Sequence, residues 1–218
     1  MSWIRVLSLL AGTLVAAALL AKLLLPSPAL ADDLPQADSD FAERMFAGTV
    51  AKPKAYACFV RHYDAAHLAA HPLQKVSMMK LLIAAEKAPE DQVLEYSFRL
   101  GVNFRDRPGN FDSSGECGHA PTVRSPDTDA PVAQGLDFEC DVDCDGGGIG
   151  VSLAESDKAV IVKLDRIRIW KGNTPDDTAA TALHGGADDK VFRLDRTAVS
   201  ECAALVADRK ELAAMRHK

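Results

Sequence analysis

The 218 residues carry 31 acidic against 25 basic side chains, a formal net charge of −6, with 48% hydrophobic residues. An acidic chain without a basic cluster argues against nucleic acid and anionic membrane surfaces as partners, because both attract basic patches. The length and apolar content suit one domain with a proper core, not a disordered chain.

The chain opens MSWIRVLSLLAGTLVAAALLAKLLLPSPALADD. Arg5 supplies a positive start, residues 6–21 form an apolar run, and Pro26 and Pro28 precede the small-x-small box Ala29, Leu30, Ala31. That is the layout of a secretory signal peptide, with cleavage expected after Ala31. An uncleaved anchor over residues 3–25 is the rival reading; Lys22 interrupts it and the cleavage box favours removal. The expected location is therefore the periplasm or the exterior, with no membrane contact after cleavage. Losing residues 1–31 removes two basic residues and no acid, so the remaining chain is more acidic still.

Residues 32–53 read as a lead-in, with Ser39 or Asp40 capping a helix through Phe46, Glu43 placed for a capping box and Gly48 beyond the end. One β-rich domain is expected over 54–218. YACFVRHYD (56–64) is aromatic and β-prone. DAAHLAAHP follows as a helical turn, capped by Asp64 and stopped at Pro72. Residues 73–87 are ambiguous: Val76, Met79 and Ile83 suit a helix, whereas Met79, Leu81 and Ile83 suit a strand, and strand neighbours favour the latter.

The clearest pattern is QVLEYSFRLGVNFR (92–105). Leu94, Tyr96, Phe98, Leu100, Val102 and Phe104 share one parity, so a long strand turns one face to the core and the other to water. RDRPGNFD turns the chain, SSGECGHA forms a short polar strand, and residues 120–135 form a loop rich in Pro, Asp and Thr. GLDFECDVDCDGGGIGVSLAE returns through strand. In AVIVKLDRIRIW, Val160, Val162 and Leu164 have one parity and Ile167 and Ile169 the other; a β-bulge near residues 165–166 keeps both sets on the core face. Residues 172–190 read as a second polar loop and KVFRL as a last strand. From Asp195 or Thr197, Val199, Cys202, Leu205, Val206, Leu212 and Met215 form one stripe of an amphipathic C-terminal helix, expected to pack on the sheet. The fold class expected is mainly β (α+β), an antiparallel barrel-like or strongly curved sheet with that helix.

All five cysteines, Cys58, Cys117, Cys140, Cys144 and Cys202, lie beyond the leader. In an oxidising compartment cysteines pair, so two disulfides and one spare thiol are expected. Folding back through loop 120–135 sets Cys117 against Cys140. If residues 140–144 are extended, Cys140, Val142 and Cys144 share a face and Asp141, Asp143 and Asp145 the opposite one. Cys140 and Cys144 then stand too far apart to bond each other, and Cys144 is expected to pair with Cys58 or Cys202.

Asp141, Asp143 and Asp145 before Gly146 also match the opening of an EF-hand calcium loop, and alternate carboxylates suit the six to eight oxygens that Ca2+ takes. The resemblance stops at those four residues: Ser152 stands where the bidentate Glu is needed. A calcium site closed by a remote carboxylate is the remaining cofactor candidate. His67 and His71, four residues apart on a helix, with His62 and Asp64 nearby, form a candidate transition-metal set. His119 beside Cys117 is a base near a thiol, though an exported cysteine favours a disulfide. No GxSxG, HExxH, phosphate-loop or dinucleotide motif occurs. The function expected is an unspecified binding or interaction module for a small molecule or protein. A metal-dependent enzyme built on His62, Asp64, His67 and His71, and a structural or inhibitory protein with a calcium-stabilised Asp loop, are the alternatives.

Overall fold

A computed structural model describes residues 36–48, 54–88, 93–120, 137–154, 157–172, 175, 178 and 180–216, all within the compact unit Leu34–Lys218. The expected leader and its cleavage point, and nearly all of loop 120–135, lie outside the described residues.

Eight antiparallel strands close into a ring. In chain order these are β1 (Lys54–His62), β2 (Val76–Lys87), β3 (Leu94–Phe104), β4 (Phe111–His119), β5 (Asp137–Asp141), β6 (Gly147–Leu153), β7 (Ala159–Lys171) and β9 (Val191–Thr197). Neighbours in sequence pair from β1 to β7; β7 then pairs with β9, and β9 with β1. β8 (Thr181–His184) hangs on the far half of β7 as an extra strand. The described residues also form the helices α1 (Gln36–Phe46), α2 (Ala65–Ala70) and α3 (Arg209–Arg216), with a 3₁₀ segment over Val199–Leu205. The barrel-like architecture and the C-terminal helix expected from the sequence are both present. Among the described residues no helix is long and apolar enough to cross a membrane.

Alternation along each strand fills the barrel. Phe59, Leu81, Ile83, Phe98, Leu100, Phe138, Leu164 and Phe192 are buried in a single core cluster. Phe41 and Met45 of α1 reach into the same cluster. The Phe41 ring lies 4.3 Å from Phe138, 4.9 Å from His119 and 6.0 Å from Tyr96. The helix starts at Gln36, ahead of Ser39 and Asp40, so neither residue caps it.

β2 shows why residues 73–87 lacked a clean period. Met79, Leu81, Ile83 and Ala85 face the barrel core, while Leu82 and Ala84 are buried on the outside. Their cover is the C-terminal segment, which lays Cys202, Leu205, Val206 and Met215 on Tyr56, Cys58, Leu82 and Ala84. The expected single C-terminal helix is instead two pieces. β9 runs on to Thr197, the 3₁₀ segment follows, and Val206 is extended. Asp208 then starts α3, accepting from Glu211 N at 2.7 Å. The Cys58–Cys202 disulfide holds the 3₁₀ segment on the wall, so both pieces bury the stripe without sharing an axis. Glu211 anchors α3: Arg99 donates two bonds to its carboxylate at 3.0 and 2.9 Å, and Tyr56 Oη one at 3.2 Å. Burial pushes the Glu211 carboxyl up, but Arg99 and Lys54 outweigh it and hold it below the usual range.

β7 contains the bulge that its parity required. Ile149 pairs with Leu164 and Gly147 with Ile167, so three steps on β7 oppose two on β6. Both apolar sets are buried, and beyond the bend β7 reaches β4, with Trp170 opposite Asp112. Residues 172–190, expected to be loop throughout, contribute β8.

Candidate functional site

The stretch 139–150 forms a barrel corner. β5 ends at Asp141, residues 143–145 turn, and β6 begins at Gly147. Cys144 and Asp145 have φ near +56° and +57°, and Gly147 +72°, so the extended geometry expected over 140–144 ends with β5 at Asp141. The turn's carbonyls are already taken by cations. Arg168 Nη2 donates to Asp143 O and, at 2.7 Å, to Cys144 O, and Arg166 Nη2 donates to Asp145 O. Two guanidinium groups therefore occupy the backbone oxygens of this turn, while the carboxylates expected to hold calcium, Asp141, Asp143 and Asp145, are exposed. Among the described residues no three His, Cys, Asp or Glu side chains are grouped to hold a metal ion.

The disulfides are Cys117–Cys140, formed between residues opposite each other across β4 and β5, and Cys58–Cys202. Cys144 pairs with neither of the partners expected for it; it is free and exposed on the turn. With Cys117 bonded, no thiolate is left for His119 to activate.

The histidine set does not converge. Asp64 caps α2 by accepting from His67 N at 2.8 Å. His67 Nε2 meets Gln74 Oε1 at 2.9 Å, and its ring stacks on His71. His71 faces Asp188, while His62 ends β1 on the exposed surface. Nearby, the fully buried Asp189 accepts from Lys75 N and Val76 N.

With the interior filled by side chains, concave surface is found on the outer wall. The side of β2–β5 that faces away from the core carries Glu86, Glu95, Glu116, Glu139 and Asp141, all exposed. Register brings them together: Glu86 stands opposite Glu95, and Glu116 opposite Asp141, with Ser97 on the other side of Glu116. Lys54 pairs with Glu86 at 3.1 Å. No ion pair reaches Glu95, Glu116, Glu139 or Asp141 among the described residues. A cleft of about 430 Å³ runs between Glu86, Glu95 and Glu116. An adjoining shallow groove of about 540 Å³ has Gly148 and Gly150 in its floor, Glu139, Asp141 and Asp165 as acids, and Lys163 and Lys190 opposite. Gly148 is required there: an added Cβ would lie 2.3 Å from Cys140 O and 2.7 Å from Asp141 Oδ1.

Of these wall residues, only Asp141 stood out in the sequence, and for calcium. Parity had placed Glu95 on the solvent face, but the juxtaposition of acids from four strands depends on register, which no local pattern shows. The fold and site define an antiparallel β-barrel domain with two disulfides and an acidic outer wall. Comparison with protein-family models, curated proteins and solved structures finds no match.

Proposed function

We propose that this domain is an exported binding module that recognises a positively charged partner, such as a basic peptide segment, along the outer wall of β2–β5. The observation that carries the reading is the placement of Glu116 opposite Asp141, with Glu95 and Glu139 exposed on the adjoining strands; Glu86, opposite Glu95, is already paired with Lys54. Like charges directly opposite each other weaken a sheet, each such pair by roughly 0.2–1 kcal/mol. An arrangement that weakens the fold is accounted for by a cation that neutralises it on binding. The filled barrel supports an exterior surface over an interior one. Two disulfides suit an oxidising compartment, in keeping with the leader expected at the N-terminus. Acidic walls of this kind speed encounter with cationic partners and repel phosphate.

The test is anisotropy of a fluorescent Arg/Lys-rich peptide with the protein and with the triple variant Glu95→Gln, Glu116→Gln, Glu139→Gln. Binding is expected to be salt-sensitive and at least about tenfold weaker in the variant, equivalent to about 1.4 kcal/mol, while the variant's melting temperature does not fall. Equal affinities for the two proteins would exclude the wall as the binding surface.

A further inference from the structure

A second site lies on the same barrel under the C-terminal cover, and it does not depend on the acidic wall. Asp112 is on the outward face of β4 and is only 7% exposed. Its burial has three causes. Gly101 stands opposite on β3, and an added Cβ there would lie 2.5 Å from Leu205 Cδ2 and 3.3 Å from Asp112 Oδ1. Trp170, 4% exposed, stands opposite on β7. Leu205 of the 3₁₀ segment covers the pair: cavities of about 250 and 90 Å³ are both lined by Asp112 and Leu205.

Among the described residues no hydrogen bond or ion pair reaches the Asp112 carboxyl. The charged groups around it are engaged elsewhere. Arg99 grips Glu211 with both Nη atoms, and Lys80 Nζ donates to Glu201 O at 2.8 Å. Asp208 accepts from Glu211 N, and Arg168 is turned to the 143–145 corner. Near it two fully buried atoms lack partners: Trp170 Nε1, whose residue lines the larger cavity, and Asn103 Oδ1, whose residue lines the smaller. Buried polar groups in folded proteins are nearly always satisfied, so an acid, an N–H donor and a carbonyl acceptor left open around two cavities that share Asp112 and Leu205 mark a place for a ligand.

We propose that these cavities bind a small amino alcohol or similar organic ammonium ligand, with the Asp112 carboxylate as its counter-ion. Charge selects the class: Arg99 and Lys80 also line the cavities, but Arg99 is paired with Glu211 and Lys80 Nζ is held on Glu201 O, so the Asp112 carboxylate is left without a counter-ion, and a neutral polyol would leave it so. Trp170 Nε1 calls for an acceptor such as a hydroxyl, and Asn103 Oδ1 for a donor. Both cavities fall below the roughly 300–1,000 Å³ of drug-sized pockets, so the ligand is small. Burial also raises the Asp112 carboxyl to about 6, and a cation can bind only its ionised form.

The probe is ethanolamine, with ethylene glycol as the neutral control, followed through the indole N–H resonance of Trp170, which Trp170→Phe assigns. At about pH 7.5 ethanolamine is expected to shift that resonance saturably, and its affinity to fall about tenfold by about pH 5, where some nine-tenths of Asp112 is protonated. Ethylene glycol and the near-isosteric Asp112→Asn should show no saturable shift. The wild-type pH series stands even if the variant does not fold. Absence of a saturable shift with ethanolamine, an equal response to ethylene glycol, or undiminished binding at about pH 5 would overturn the proposal and leave cavities that hold only water.

Discussion

Replacing Asp112 with asparagine tests the physical state of the buried carboxyl directly, without any ligand. The carboxyl is raised by burial from 3.8 to about 6. At about 1.4 kcal/mol per pKa step, that difference corresponds to about 3 kcal/mol. The sign follows from linkage. The folded state holds the Asp112 proton more tightly than the unfolded chain, so this group's effect on stability is unfavourable only once the carboxyl ionises. The penalty is absent below the unfolded value, grows as pH rises from 3.8 through about 6, and is complete above it. Asparagine fills the same space with no charge to bury. Asp112→Asn should therefore unfold at nearly the same denaturant concentration as wild type at about pH 4 and gain up to about 3 kcal/mol by about pH 7.5. For a chain of this size that is about 6–12 °C in Tm. The assay is urea unfolding of both proteins across the pH range, taking the difference at each pH so that other carboxylates cancel. A variant no more stable at neutral pH, or a gain independent of pH, would show that the carboxyl is solvated or paired.

Other perturbations probe the frame. Gly147→Ala should destabilise strongly, because φ is +72° and a Cβ would lie 2.1 Å from Arg166 O, whereas at Gly150 the nearest atom is 3.7 Å away. Denaturant melts should separate Gly147→Ala, at a loss of several kcal/mol, from Gly150→Ala, at about 1 kcal/mol or less. Removing Cys58 and Cys202 together should lower stability more than removing Cys117 and Cys140, since the bridges close sequence separations of 144 and 23 residues; loop-closure entropy gives about 5 against about 3 kcal/mol, measured by equilibrium unfolding. A thiol reagent applied to the folded, unreduced protein should modify one cysteine per chain, Cys144; zero or two modified thiols would contradict the pairing.

Much of the frame was legible in the sequence because it rests on period two. Alternation in β3 and the parity change in β7 define a core face and a bulge with no tertiary information. Where a strand is buried on both faces the signal disappears, as in β2, whose outer residues Leu82 and Ala84 lie under a segment more than a hundred residues later. Spacing alone misled at Cys144: three left-handed residues turn the chain at 144, 145 and 147, and two of them are not glycine. The candidate sites were harder to read for the same reason. Glu95, Glu116 and Glu139 look like ordinary solvent-face acids until register assembles them. Asp112 looked like turn polarity after RDRPGN, because its burial depends on Gly101, Trp170 and Leu205 meeting from three parts of the chain.

The central claim is that this barrel binds on its outer wall and not through its interior. Backbone amide shifts recorded while an Arg/Lys-rich peptide is titrated into the protein test it most directly. Changes confined to the outward residues of β2–β5, centred on Glu95, Glu116 and Glu139, are the result expected. Changes centred on the core residues Phe59, Phe98 and Phe192, or on the α2 end of the barrel, would contradict it.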